Sequence, residues 1–116
     1  MWLYTETPLD YTGIEISVGE TVSLLCNTSL SSDMMWTYDT ADNGYVHYVY
    51  WNGHIDSDRP RLSVNTSEDY HHSLTISQAQ ISDKGLYECY NGTGHRTAGY
   101  QLTVNRTYHG IILRVL

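Results

Sequence analysis

Apolar residues recur at every second position through most of this chain. ETVSLLC (20–26) sends Val22, Leu24 and Cys26 to one side of an extended backbone, HSLTIS (72–77) does so with Leu74 and Ile76, and YQLTV (100–104) with Tyr100, Leu102 and Val104. A period of two marks strands with one buried face, and no segment of about 12 residues carries the 3.6-residue period of a helix. Turn signals separate the alternating runs: Val18-Gly19-Glu20, Asp42-Asn43-Gly44, Asn52-Gly53, Ser57-Asp58-Arg59-Pro60 and Asn91-Gly92. ADNG, between MMWTYD and YVHYVYW, reads as a hairpin loop. About nine short strands and no long helix predict an all-β chain, an antiparallel sandwich or barrel.

With 116 residues there is material for one domain and one hydrophobic core. The net charge of −7, with only six Lys and Arg, argues against nucleic acid, since phosphate binding needs clustered positive charge. Four Asn-x-Ser/Thr sequences, at Asn27, Asn65, Asn91 and Asn105, are N-glycosylation candidates. Together with the two cysteines they point to the secretory pathway, where a disulfide persists. No stretch approaches the roughly 20 apolar residues that span a bilayer, so a membrane is expected only through segments absent from this chain. The terminal TYHGIILRVL is too apolar for a solvated tail. It is expected to lead to a further domain, to cover the sandwich, or to be foreign to it.

Three landmarks stand in phase on these strands: Cys26, then Trp36 on the following strand, then Asp83-x-Gly85-x-Tyr87-x-Cys89 on a late one. This set resembles the immunoglobulin superfamily, and LTISQAQISDKGLYEC is similar to its E strand, E–F turn and F strand. The resemblance covers nearly all of residues 3–105. It implies an immunoglobulin-like Greek-key sandwich of V-type over residues 1–105, followed by an extension or linker over 106–116. It further implies a Cys26–Cys89 disulfide between the sheets, an indole of Trp36 packed on it, and a Tyr87 hydroxyl bonded back to the corner that Asp83 and Gly85 shape. In V-type domains an Arg opening strand D pairs with the Asp of the E–F turn, which selects Arg61, or Arg59 as the second choice, for Asp83. YVHYVYWNGHIDSD resembles C′ and a short C″.

Two departures narrow the resemblance. Strand G has Gly99 in HRTAGYQLTV but no Gly-x-Gly, and strand C reads Trp36-Thr37-Tyr38-Asp39 rather than Trp-Tyr-x-Gln. A non-rearranging receptor or adhesion molecule fits better than an antigen-receptor chain.

For V-type domains the resemblance implies a working surface on the G-F-C-C′ sheet. With Trp36 and Cys89 inward, Met35, Thr37, Glu88 and Tyr90 face outward. Burying Val49 sends Tyr48 and Tyr50 outward, and inward Leu102 and Val104 leave Gln101 and Thr103 facing out. Tyrosine offers large contact area at modest entropic cost and Met adapts to irregular partners. Against this stands a composition of 11 Tyr and no Phe, in which Tyr38 and Tyr100 take core places. The loop NGTGHRTAG (91–99) adds His95 and Arg96 as exposed donors; a glycan at the Asn91 sequon would cover part of it, which argues for a contact lower on the sheet or for an unmodified Asn91.

No catalytic, cofactor-binding or metal site is expected. His47, His54, His71, His72, His95 and His109 lack the spacing of a helical zinc site, and His71 and His72 alternate to opposite faces of a strand. No Gly-rich phosphate loop or nucleophile elbow is present. The expected role is an extracellular protein-recognition module of a cell-surface immune receptor or coreceptor, whose partner is another cell-surface or secreted protein. The alternatives are a homophilic adhesion domain pairing as a homodimer, an immunoglobulin-like domain of a viral surface glycoprotein, and a structural spacer.

Overall fold

In a computed structural model of the chain, described over residues 11–26, 34–40, 46–65 and 72–106, the alternating runs become nine strands in two sheets. They are β1 (Thr12–Ser17), β2 (Val22–Leu24), β3 (Met35–Asp39), β4 (Val46–Trp51), β5 (His54–Ile55), β6 (Leu62–Asn65), β7 (Ser73–Ile76), β8 (Gly85–Tyr90) and β9 (Arg96–Asn105). One sheet has the order β1-β9-β8-β3-β4-β5 and the other β2-β7-β6. β1 runs parallel to β9 and every other pairing is antiparallel. The only helical piece among the described residues is a 3-10 turn, Ile81–Asp83. This is the Greek-key sandwich expected of the V-type resemblance.

The core lies between the sheets. Leu24, Leu74 and Ile76 from the small sheet, with Cys26 just beyond β2, meet Trp36, Tyr38, Val49, Tyr87, Cys89, Leu102 and Val104 from the large one, all buried. Cys26 and Cys89 form the disulfide that joins the sheets. The Trp36 indole is fully buried, donates Nε1–H to the His72 carbonyl at 2.9 Å, and stacks against Tyr100 at a centroid distance of 6.3 Å. Tyr38 is buried as expected, whereas Tyr100 stays half-buried and donates its hydroxyl to the Leu25 carbonyl at 2.6 Å.

The turn entering β8 is built as the motif implied. Tyr87 donates its hydroxyl to the Asp83 carbonyl at 2.5 Å. The buried Asp83 carboxylate takes two bonds from Arg61, at 2.6 and 3.0 Å, and one from the Gln80 amide at 2.8 Å. Such a two-pronged, partly buried pair is stronger than a surface ion pair. Arg59, the second choice, instead pairs with Asp56 at 3.5 Å and lies over the Tyr38 ring at 4.7 Å. Gly85 sits at φ 146°, where a Cβ would come within 2.6 Å of the Asp39 carbonyl. Only a residue without a side chain lets β8 start that close to β3.

The ADNG hairpin, Asn27, His71, Ser67 of the Asn65 sequon, and the extension from Thr107 onward lie outside the described residues.

Candidate recognition face

Strand register orders the outer surface of the six-stranded sheet into rows. Trp51, Met35, Tyr90 and Arg96 stand opposite one another across β4, β3, β8 and β9. Tyr48, Thr37, Glu88 and Gly99 form the next row, and Val46, Asp39, Leu86 and Gln101 the third. Met35, Tyr48, Glu88, Tyr90, Arg96 and Gln101 are thus on one face, with Thr103 beyond Gln101.

Tyr50 is not on it. The β3–β4 ladder steps from Trp36↔Tyr50 to Thr37↔Tyr48, which leaves Val49 without an opposite residue. A β-bulge of this kind resets the alternation by one. Val49 is fully buried, and Tyr50, facing the same way as Trp36, packs half-buried against the core. Strict counting from Val49 sends Tyr50 outward, but the bulge turns it toward the core and gives the outer face Trp51 instead. That residue is 59% exposed and its ring lies tilted beside that of Tyr48, itself 61% exposed, at 6.4 Å between ring centroids. A signal for it existed in Asn52-Gly53. Asn52 at φ 57° and Gly53 at φ 83° make a tight two-residue hairpin that pairs Trp51 with His54. That turn puts Trp51 and His54 on the same side of the hairpin, and the polar, exposed His54 marks it as the solvent side.

Thr37 also differs from expectation. Its row is outward, yet it is only 4% exposed between Tyr48 and Glu88, so it offers a partner no surface.

Arg96 is a strand residue rather than a loop donor. It opens β9 opposite Tyr90, its Nε lies 3.3 Å from the Glu88 carboxylate, and its guanidinium stacks over the Tyr11 ring at 4.5 Å. A Cβ on Gly99 would overlap that guanidinium, so the bare backbone of Gly99 is the bed on which Arg96 lies. Glu88 in turn accepts the hydroxyls of Tyr11 at 2.6 Å and Tyr90 at 2.9 Å. Tyr11, which sequence alternation did not single out, thereby closes a half-buried polar network in the centre of the face. His95 remains exposed, in a turn where Thr93 Oγ1 lies 2.9 Å from its Nδ1. The loop after β8 is closed rather than loose: the Asn91 amide donates to the His95 carbonyl at 2.9 Å and the Gly94 amide to the Asn91 carbonyl at 3.0 Å.

The network has an electrostatic consequence. Burial first, and then the bond to Glu88, pushes the Tyr11 hydroxyl up to about 12, and the same two causes raise Tyr90. Burial also raises Tyr87. These phenols stay neutral in the folded protein at pH values where the unfolded chain has ionised. Their stabilisation is complete below a pH of about 10 and is lost as pH rises from there toward 12. Thermal melts across this window are expected to show a falling melting temperature, with phenolate absorbance lagging until unfolding. A flat melting temperature would contradict the arrangement.

Among the described residues no group of three His, Cys, Asp or Glu is arranged to hold a metal, and no helix is long and apolar enough to cross a membrane. What the face presents is a pair of exposed aromatic rings and a methionine beside a self-satisfied polar network. That composition suits contact with another macromolecule: aromatic anchors supply area, and the neighbouring polar groups are already paired.

Comparison with known proteins gives two results. The family model of the immunoglobulin V-set domain matches residues 11–105. A stretch of 56 residues, 48% of this chain, is 36% identical to the muscle M-line assembly protein unc-89 of Caenorhabditis elegans, and it spans 1% of that protein's length.

Proposed function

The chain belongs to the immunoglobulin V-set family, and on that premise we propose that it is the extracellular recognition module of a cell-surface immune receptor or coreceptor, binding a protein ligand through the outer face of the six-stranded sheet. Domains of this family are non-catalytic binding modules that generally mediate protein–protein contact. The observation that carries the reading is the exposed Tyr48–Trp51 pair beside Met35 and Tyr90. Large aromatic rings left in water on a flat sheet are the residue types that dominate interface energetics, and nothing in the core requires them to be there.

The test is a tetramerised form of the chain, applied to a panel of cells, beside a Y48A/W51A/Y90A variant. The wild type is expected to stain a subset of cells and the variant to lose at least about tenfold in apparent affinity, since hot-spot truncations cost about 2 kcal/mol or more each. A cooperative thermal melt and a far-UV spectrum like that of the wild type show that the variant is folded. Sedimentation velocity over a concentration series separates the homophilic alternative, in which the wild type dimerises and the variant does not. The match to an M-line assembly protein favours a second reading, in which the domain is a structural module of a longer chain. In that case the variant and the wild type behave alike in both assays.

A further inference from the structure

We propose that Asn91 carries an N-linked carbohydrate, and that the turn between β8 and β9 is built to accept it without rearrangement. The inference rests on the extracellular reading above and adds to it the place of a modification. The Asn91 side chain organises its turn through one atom. Oδ1 accepts the Thr93 amide at 2.9 Å, the Thr93 hydroxyl at 2.7 Å and the His95 amide at 3.0 Å.

Glycosylation uses the other atom of the amide. In the transfer, Nδ2 bonds to the anomeric carbon of an oligosaccharide carried on a lipid pyrophosphate. The bond from that carbon to the pyrophosphate oxygen breaks, the lipid pyrophosphate leaves, and the amide nitrogen loses one proton. Oδ1 keeps its lone pairs and all three hydrogen bonds. The residues following Asn91, namely Gly92, Thr93, Gly94 and His95, are exposed, which leaves room for a sugar.

Asn105 is the contrasting case. Its Nδ2 donates to Glu15 Oε2 at 2.8 Å, a side-chain tie between β9 and β1 through the very atom that would carry the sugar. Asn91 has its function in the fold and its reactive nitrogen separated, and Asn105 does not.

Position gives the modification a consequence. Asn91 directly follows Tyr90 along the chain, so the carbohydrate flanks the row Trp51, Met35, Tyr90 and Arg96 on its loop side, beside Tyr90. It borders the face on that side, across the row from Tyr48 and Val46, so a partner that engages Tyr48 and Trp51 approaches from the side away from the loop.

The test is secretion of the full chain from human cells behind a leader, with glycopeptide mass spectrometry before and after peptide N-glycosidase treatment in heavy-oxygen water. Carbohydrate on Asn91 in the majority of molecules is expected, kept in T93S and lost in T93A. Trimming the glycan to its first sugar is expected to leave the melting temperature unchanged, because the turn does not depend on what Nδ2 carries. A bare Asn91 in secreted protein whose other sequons are occupied overturns the proposal and leaves the extracellular reading standing. Four bare sequons in retained, unsecreted chain overturn both. Occupied Asn91 with a melting temperature that rises on trimming overturns the claim that the turn accepts the sugar undisturbed.

Discussion

Replacing Trp36 with alanine is expected to lower stability by roughly 3–5 kcal/mol, a large share of what a domain this size possesses. Two losses combine. The indole is fully buried between the sheets, so its removal opens a cavity beside Tyr100 that the strands of a bridged sandwich cannot readily collapse. The His72 carbonyl also loses the Nε1–H donor that satisfies it at 2.9 Å, and a buried acceptor left without a partner adds about 1–3 kcal/mol to the upper part of that range. W36F separates the two, since it keeps much of the ring volume and lacks the donor, so its loss is expected to be smaller. Urea midpoints for the three proteins decide the matter. A W36A loss of about 0.5 kcal/mol, the size of a surface substitution, is incompatible with the packed indole.

Removing the disulfide as C26A/C89A is the second large effect, expected at roughly 2–5 kcal/mol. The bridge joins residues 63 positions apart, so it withdraws many conformations from the unfolded chain, and the chain-entropy model gives about 4 kcal/mol for a loop of that size. Both sulfurs lie in the buried core, and the alanine pair also leaves space there. The outcome to look for is a lower denaturant midpoint in the variant, matched by wild type under strong reductant. A reduced wild type with the midpoint of the oxidised form would refute the contribution assigned to the bridge. Native cysteine pairs in small sandwiches act on the unfolded state more than on native contacts, so the face is expected to keep its binding in whatever fraction remains folded.

How much of the site was legible in the residues depends on the kind of constraint involved. The family pattern selects Arg61 ahead of Arg59 for Asp83, and Arg61 makes the two bonds at 2.6 and 3.0 Å, because the motif ties both residues to fixed places on adjoining elements. Tyr50 went wrong for a reason equally physical. A period of two places side chains only while the ladder is regular, and a single extra residue at Val49 inverts everything on one side of it. Arg96 was read from composition as a loop donor, since glycine-rich sequence and exposure usually go together. Its real setting depends on Glu88 of the facing strand, on Tyr11, far away in sequence, and on the bare backbone of Gly99 in its own strand.

Alternation, turn residues and the Cys–Trp–Cys landmarks were enough to determine the sandwich, the inward places of Trp36, Cys89, Leu102 and Val104, and the corner at Asp83. All of these are local patterns, or pairs that one family of sheets places in a single way. The tertiary structure alone decided which aromatic rings reach solvent, that Thr37 is covered, and that Tyr11 and Tyr90 share one carboxylate. Those outcomes depend on register and on contacts between strands, and a one-residue bulge changes register without leaving a mark in the pattern of apolar residues.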